Sequence, residues 1–157
     1  MRRAIGVLLV LAACGGDDSS GGDGGGGGGD AAHQTCLTET NKYRTGGGKA
    51  AIAQSDALET YADTGAMFDF SNAPHAHFMQ TGGGGIAFAE NECPQQLGWT
   101  LPTGADPGPV VAMCIKAFFD EGPGGGHYEN LMGNYAHLGC GIYAASGKIT
   151  ILQDFGN

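Results

Sequence analysis

The sequence predicts an α+β domain in which helices flank a small antiparallel sheet. Two observations carry this prediction. Three segments place apolar residues at helical spacing, and two strand-like runs near the C-terminus, residues 138–145 and 148–155, are joined by Ser146-Gly147, a dipeptide typical of a hairpin turn. The chain of 157 residues has room for one such domain, which we assign to residues 31–157.

The helices are predicted as follows. A short first helix covers residues 35–45, because Leu37, Asn41 and Arg44 share one face and three glycines follow. A second helix begins near Asp56, which forms a capping-box pattern with Glu59. Its apolar face is made of Leu58, Tyr61, Ala62 and Ala66.

A third helix begins near Pro107 and Pro109 and ends at Gly122-Pro123. Its apolar stripe contains Val110, Val111, Cys114, Ile115, Phe118 and Phe119. A further strand is predicted at residues 86–91, before the final hairpin. Residues 82–85 are four glycines, which we interpret as a loop because no Gly-Lys-Ser/Thr follows them.

The N-terminal segment predicts export. Arg2 and Arg3 precede an apolar run that is too short to cross a bilayer, so residues 1–13 are predicted to be a signal peptide. The run ends in Leu-Ala-Ala-Cys, which resembles a bacterial lipobox and implies lipidation of Cys14. Residue 15 is glycine, so an outer-membrane location is favoured where the cell has one. We expect residues 14–30, rich in Gly, Asp and Ser, to form a disordered tether.

Charge and cysteine content narrow the function. A formal net charge of −9 argues against binding to phosphate backbones, so we expect no nucleic-acid partner. Four cysteines follow the tether, at positions 36, 93, 114 and 140. An even number in an exported chain predicts two structural disulfides, and three pairings are possible. No Cys-x-x-Cys motif points to a redox or zinc-ribbon site.

Histidines and acids in the middle of the chain are the candidate functional residues. His75, His77 and His127 lie near acidic residues and glycine-rich loops; the acids are Glu90, Glu92, Asp120, Glu121 and Glu129. Imidazoles and carboxylates that converge in a cleft can hold a divalent metal or act as a general acid and base. Hydrogen-bonded histidines with no further role are the plain alternative.

Several motifs in order resemble the CAP superfamily, which includes the cysteine-rich secretory proteins, antigen 5 and plant pathogenesis-related class 1 proteins. They are Asn41-x-x-Arg44, Leu58-x-x-Tyr61-Ala62, Ala89-Glu90-Asn91-Glu92, Phe118-Phe119-Asp120-Glu121, Gly126-His127-Tyr128 and Gln153-Asp154-Phe155-Gly156. The resemblance covers about residues 36–157 and implies an α-β-α sandwich. It also implies a central cleft with His77, Glu90, Glu121 and His127, in which His77 and His127 bind zinc or a similar cation. The family spacing selects His77 over His75, for which an auxiliary ligand role stays open.

Three functions are compatible with such a cleft. The favoured one is an envelope-anchored binding module that holds a divalent cation and a lipid or an extracellular protein partner, because no nucleophile motif is visible. The second is a metal-assisted, peptidase-like hydrolase in which Glu90 or Glu121 takes a proton from water. The third is a purely structural tetrad. We interpret Tyr128 as packing beneath the cleft and Trp99 as the anchor of a long loop.

Overall fold

The computed structural model describes residues 29–157. The predicted signal peptide, Cys14 and nearly all of the predicted tether lie outside the described residues. The helices are α1 (Gly29–Gly46), α2 (Asp56–Asp69), α3 (Ala76–Thr81), α4 (Gly108–Asp120) and α5 (Gly126–Leu131), and the strands are β1 (Ala53–Gln54), β2 (Ala89–Cys93), β3 (His137–Ala145) and β4 (Lys148–Gly156). None of the helices within residues 29–157 is long and apolar enough to cross a membrane.

The sheet has the strand order β1-β3-β4-β2, with β1 parallel to β3 and the other neighbours antiparallel. The predicted C-terminal hairpin is confirmed. Its turn residues Ser146 and Gly147 have φ of 52° and 77°, the left-handed values that a tight hairpin turn requires. The third and fourth strands therefore pair along their whole length, from His137 opposite Gly156 to Ala145 opposite Lys148.

Helices cover both faces of the sheet, which confirms the α+β class and the α-β-α arrangement. On one face, α2 packs against β3 and β4. On the other face, α1 packs against α4 and β3, over the main hydrophobic core. The close approach of α2 depends on Gly139 and Gly141, since a Cβ at Gly141 would lie 2.0 Å from the Ala62 carbonyl oxygen. Leu138 and Cys140, which alternate with these glycines, are buried.

Two disulfides connect the layers, and the pairing that the sequence left open is Cys36–Cys140 with Cys93–Cys114. The first joins α1 to β3 and the second joins β2 to α4. Trp99 is partly buried and packs against the main core, consistent with its predicted role as a loop anchor.

Several boundaries differ from the sequence prediction. The first helix runs from Gly29 and so begins before residue 35. The predicted capping box is wrong by one residue, because the N-cap of α2 is Ser55, whose Oγ accepts a hydrogen bond from the Leu58 N–H. Glu59 instead accepts a bond from the Gln54 side chain. The strand predicted at residues 86–91 begins at Ala89, because a 3₁₀ turn at Gly83–Gly85 precedes it.

Candidate metal centre

His75 is held in an unusual backbone conformation between α2 and α3. Its φ of 61° is left-handed, which is costly for a residue with a side chain, by about 1 to 3 kcal/mol. Its backbone N–H donates a 2.5 Å hydrogen bond to Glu92 Oε2. The imidazole Nδ1 then lies 2.8 Å from Glu90 Oε1. Two buried carboxylates therefore fix both the backbone and the ring of His75.

Glu90 and Glu92 lie on one face of β2 because side chains two residues apart on a strand point the same way. Both side chains are almost fully enclosed, with 2% and 0% of their surface exposed, whereas the His75 side chain is 36% exposed. Asn91, between them, points to the opposite face and donates hydrogen bonds to the His127 carbonyl and to Gln153 Oε1. The strand thus presents two carboxylates to His75 and an amide to α5.

His75, Glu90 and Glu92 form a potential metal-binding group. One ligand atom from each lies within 4.8 Å of the others, and this is the one such group of three within residues 29–157. Glu90 Oε2 and Glu92 Oε1 are buried without a hydrogen-bond partner. A single nitrogen and several carboxylate oxygens, with ligand atoms to spare, fit the chemistry of a divalent cation.

Burial and mutual repulsion perturb the acids of this group and its neighbours. Burial, more than any other cause, raises the pKa of Glu92 to about 7. Asp154, opposite Glu90 on β4, has its pKa raised to about 9, first by burial and then by the charge of Glu90. The hydrogen bond to Glu90 raises the pKa of His75 above its usual value. Metal-free, the cluster therefore retains protons at neutral pH.

His77 has different surroundings. Its N–H donates to Asp69 Oδ1 at 2.8 Å, and its ring lies 4.7 Å from that of Tyr61. Its Nδ1 is buried near Gly65, where an added Cβ would come within 3.2 Å. These contacts place His77 against α2 and bring His75, rather than His77, to Glu90. A ligand role for His77 stays a prediction that this geometry does not support.

Glu121 and His127 form a second pair, as the sequence analysis grouped them. Glu121 ends α4, and its Oε1 lies 2.5 Å from His127 Nδ1 while its Oε2 accepts the His127 N–H at 3.0 Å. The hydrogen bond from His127 lowers the pKa of Glu121. The imidazole also packs on Phe118, with ring centroids 4.7 Å apart. Because Nδ1 is engaged, Nε2 is the nitrogen left for a ligand.

Asn130 links the two pairs. Its Nδ2 donates to the Glu90 carbonyl and to Asn91 Oδ1, so that α5 lies beside β2. A cavity of about 410 Å³ opens here, lined by His75, Phe78, Met79, Phe88, Ala89, Glu90 and Asn130. Its polar side is formed by His75, Glu90 and Asn130, and its apolar wall by Phe78, Met79 and Phe88.

Tyr128 is partly buried against Phe119, with ring centroids 5.5 Å apart, which agrees with a packing role.

Sequence reasoning listed Glu92 among the nearby acids but did not place it in the tetrad. The signal was available, because Glu90 and Glu92 alternate on a predicted strand and must share a face. The choice between His75 and His77 had no comparable signal, since it depends on the left-handed turn at His75.

The fold and this site define a disulfide-bonded α-β-α domain with an acidic, histidine-containing cleft. Residues 37–155 match the model of the CAP family, described as the cysteine-rich secretory protein family, and the chain belongs to that family. A crystal structure of NaASP2 with Zn²⁺ has a similar fold, with a TM-score of 0.59 and 20% sequence identity over 86% of this chain and 84% of that one. No curated protein matches the sequence at a significant level.

Proposed function

We propose that the protein is a CAP-domain binding module whose cleft holds a divalent cation, with His75, Glu90 and Glu92 as ligands and zinc as one candidate ion. The single observation that carries this proposal is the group of three ligand atoms within 4.8 Å, in which both glutamates are buried. NaASP2, a structural neighbour, was crystallised with Zn²⁺.

The unsatisfied oxygens favour this reading over a purely structural tetrad. A network that serves only to connect helices to a sheet is expected to satisfy its buried polar atoms. Glu90, Glu92, Asp69 and Asp154 instead keep five buried carboxylate oxygens without a hydrogen-bond partner. Such oxygens are what a cation requires, and they are costly in its absence.

Calorimetric titration of zinc into the metal-free chain tests the proposal. Histidine and glutamine have similar reach, so His75→Gln removes the imidazole with little change in volume. We expect His75→Gln to weaken binding by about tenfold to a hundredfold. His77→Gln is the matched control, two residues away, and should bind as the wild type does. Weaker binding by His77→Gln together with unchanged binding by His75→Gln would assign the ligand to His77. If the wild type failed to bind zinc stoichiometrically, the cation site would be rejected. The same titration of His127→Gln tests whether the pair of Glu121 and His127 contributes to zinc binding.

We also propose that the apolar wall of the cavity binds the partner, a lipid or an apolar segment of an extracellular protein. Met79 and Phe88 are 77% and 61% exposed, which is unusual for large apolar side chains at a cavity mouth. An apolar group on this wall would lie next to the cation. Phe88→Ser should abolish retention of a bound fatty acid, whereas Leu97→Ser, which alters a still more exposed apolar side chain in a 3₁₀ turn away from the cavity, should not. Equal retention by both variants would exclude this wall.

Export and anchoring complete the proposal. Two disulfides fit a protein from an oxidising compartment. We propose that lipidated Cys14 anchors the domain to the bacterial cell envelope, at the outer membrane where one exists. Mass spectrometry of the mature protein should find acyl chains on Cys14, and Cys14→Ala should release the protein from the membrane fraction. A membrane-bound Cys14→Ala protein would contradict the anchor.

A further inference from the structure

The segment between His77 and Phe88 is anchored to the domain at both ends. At the first end the His77 N–H donates to Asp69 Oδ1 at 2.8 Å. At the second end the Phe88 N–H donates to the Phe155 carbonyl at 2.8 Å. Between these anchors lie the rest of α3 and four consecutive glycines, and no residue of α3 is buried. Segments with few buried contacts open more readily than the core of a domain.

The glycines at residues 82–85 give this segment a hinge. All four have φ between 59° and 75°, a left-handed conformation that glycine adopts without steric cost. A run without side chains is suited to absorb the change in backbone angles that a moving segment requires. The helix before it is also marginal, because six residues are too few for a helix to be stable by itself.

Tyr61 of α2 holds the middle of this segment in place. Its hydroxyl lies 2.6 Å from Thr81 Oγ1. Its ring lies against Gly84, where an added Cβ would be 2.8 Å from Cε2 of the tyrosine. Within residues 29–157, the contact of Tyr61 with Thr81 is the one side-chain hydrogen bond that joins residues 78–85 to another element. Since α2 packs on the sheet, Tyr61 is a fixed support for a segment that can move.

The segment also forms part of the cavity. Phe78 and Met79 belong to it and line the cavity together with Phe88, which lies at the second anchor. Movement of the segment would therefore separate the two parts of the apolar wall. We propose that residues 78–85 are a lid of the cavity, and that Tyr61 is the latch that keeps this lid closed. This inference rests on the proposed binding of an apolar group to the wall.

Hydrogen exchange of the full-length chain measures opening of the lid without any ligand. Tyr61→Phe keeps the ring and removes the hydroxyl, so the amides of residues 79–82 should exchange about two- to tenfold faster, while those of β3 and β4 should not change. Gly84→Ala should have a larger effect, because its Cβ would overlap the Tyr61 ring. Gly85→Ala is the matched control, since it has a similar left-handed φ but open space around it. The difference between the two alanine variants isolates the contact with the latch.

Uptake of cis-parinaric acid, a fluorescent fatty acid, tests whether the lid controls entry. In stopped-flow measurements, Tyr61→Phe should raise the association and dissociation rates together by about two- to tenfold, because a lid that opens more often speeds both directions. A rise in the dissociation rate alone would indicate a lost contact with the ligand and would overturn the gating role.

The exchange data decide whether the lid exists. Unchanged exchange in both Tyr61→Phe and Gly84→Ala would overturn the proposal. Faster exchange throughout α2 and the sheet would overturn it as well, since it would indicate a general loss of the fold. Failure of the wild type to bind the fatty acid would reject the proposed apolar ligand itself, whereas the exchange rates alone show whether residues 78–85 open as a lid.

Discussion

Replacing Asp154 by asparagine should stabilise the metal-free protein, and the gain should grow with pH. Burial and the neighbouring Glu90 raise the pKa of Asp154 from 3.8 to about 9 in the folded state. Below pH 4 both the folded and unfolded chains keep this proton, so it has no effect on stability. Between pH 4 and 9 only the folded chain keeps it, so the unfolded state binds fewer protons and stability falls as pH rises. Asparagine has no proton to lose and escapes this penalty.

The size of the effect follows from the shift. Each pKa unit corresponds to about 1.4 kcal/mol. About three units lie between 3.8 and pH 7, which sets a ceiling of about 4 kcal/mol at neutral pH. Besides burial, the negative charges of Glu90 and Glu92 contribute to the raised pKa of Asp154, so part of the penalty depends on these neighbours. We expect the variant to gain about 2 to 4 kcal/mol at pH 7 and almost nothing at pH 4.

Urea denaturation in the presence of EDTA measures this gain. Trp99 is the sole tryptophan and is partly buried against the core, so its fluorescence reports unfolding. The free energy of unfolding would be compared at pH 4, 5.5, 7 and 8.5 for the wild type, Asp154→Asn and the exposed control Asp120→Asn. A difference that stays constant with pH, or a variant less stable than the wild type at pH 7, would refute the reasoning.

Three further predictions concern the metal, the packing and the disulfides. Zinc affinity should fall from pH 8.5 to pH 6 in calorimetric titrations, because the raised pKa of His75 makes protons compete for its ring, and a flat profile would contradict this. Gly141→Ala should lower the melting temperature strongly or prevent folding, since its Cβ would overlap a carbonyl of α2, whereas Gly126→Ala has open space and serves as the control. Replacing Cys36 and Cys140 by alanine should cost about 4 to 5 kcal/mol in urea denaturation, and the shorter bridge between β2 and α4 about 3, because the longer loop constrains the unfolded chain more. Equal losses would contradict the loop-entropy argument.

The sequence was most informative where a pattern is local and long. The helix α2 and the C-terminal hairpin each extend over enough residues for their apolar spacing and turn residues to be recognised. The helices α3 and α5 have six residues each, too few for periodicity to show. The cap of α2 was missed because Ser55 and Asp56 are both good N-cap residues, and only the backbone decides between them.

The sequence indicated which types of residue lie in the site better than it indicated which of them contact one another. Glu121 and His127 are six positions apart and do meet. The sequence pairs Glu90 with His77 in the cleft, whereas the imidazole that contacts Glu90 in the structure is His75. That difference depends on the left-handed backbone of His75, the residue after Pro74. No spacing rule along the chain contains this information. Asp154 is a similar case, since its proximity to Glu90 is set by the register of β4 on β2.

The buried acids are best understood as a cost accepted for function. Replacement of buried charged groups by neutral ones of similar shape often stabilises a protein. Within residues 29–157 the four enclosed carboxyls have His75 as their one ion-pair partner, so the fold gains little stability from them. Asp154 is the sharpest case, because its carboxyl is fully enclosed and lies close to the charge of Glu90. A substitution in this cluster that stabilises the metal-free fold and weakens cation binding would separate the two roles. Such a result would mean that, without the cation, bound protons neutralise the buried carboxyls and so stabilise the cleft. These protons would have to leave when the cation binds.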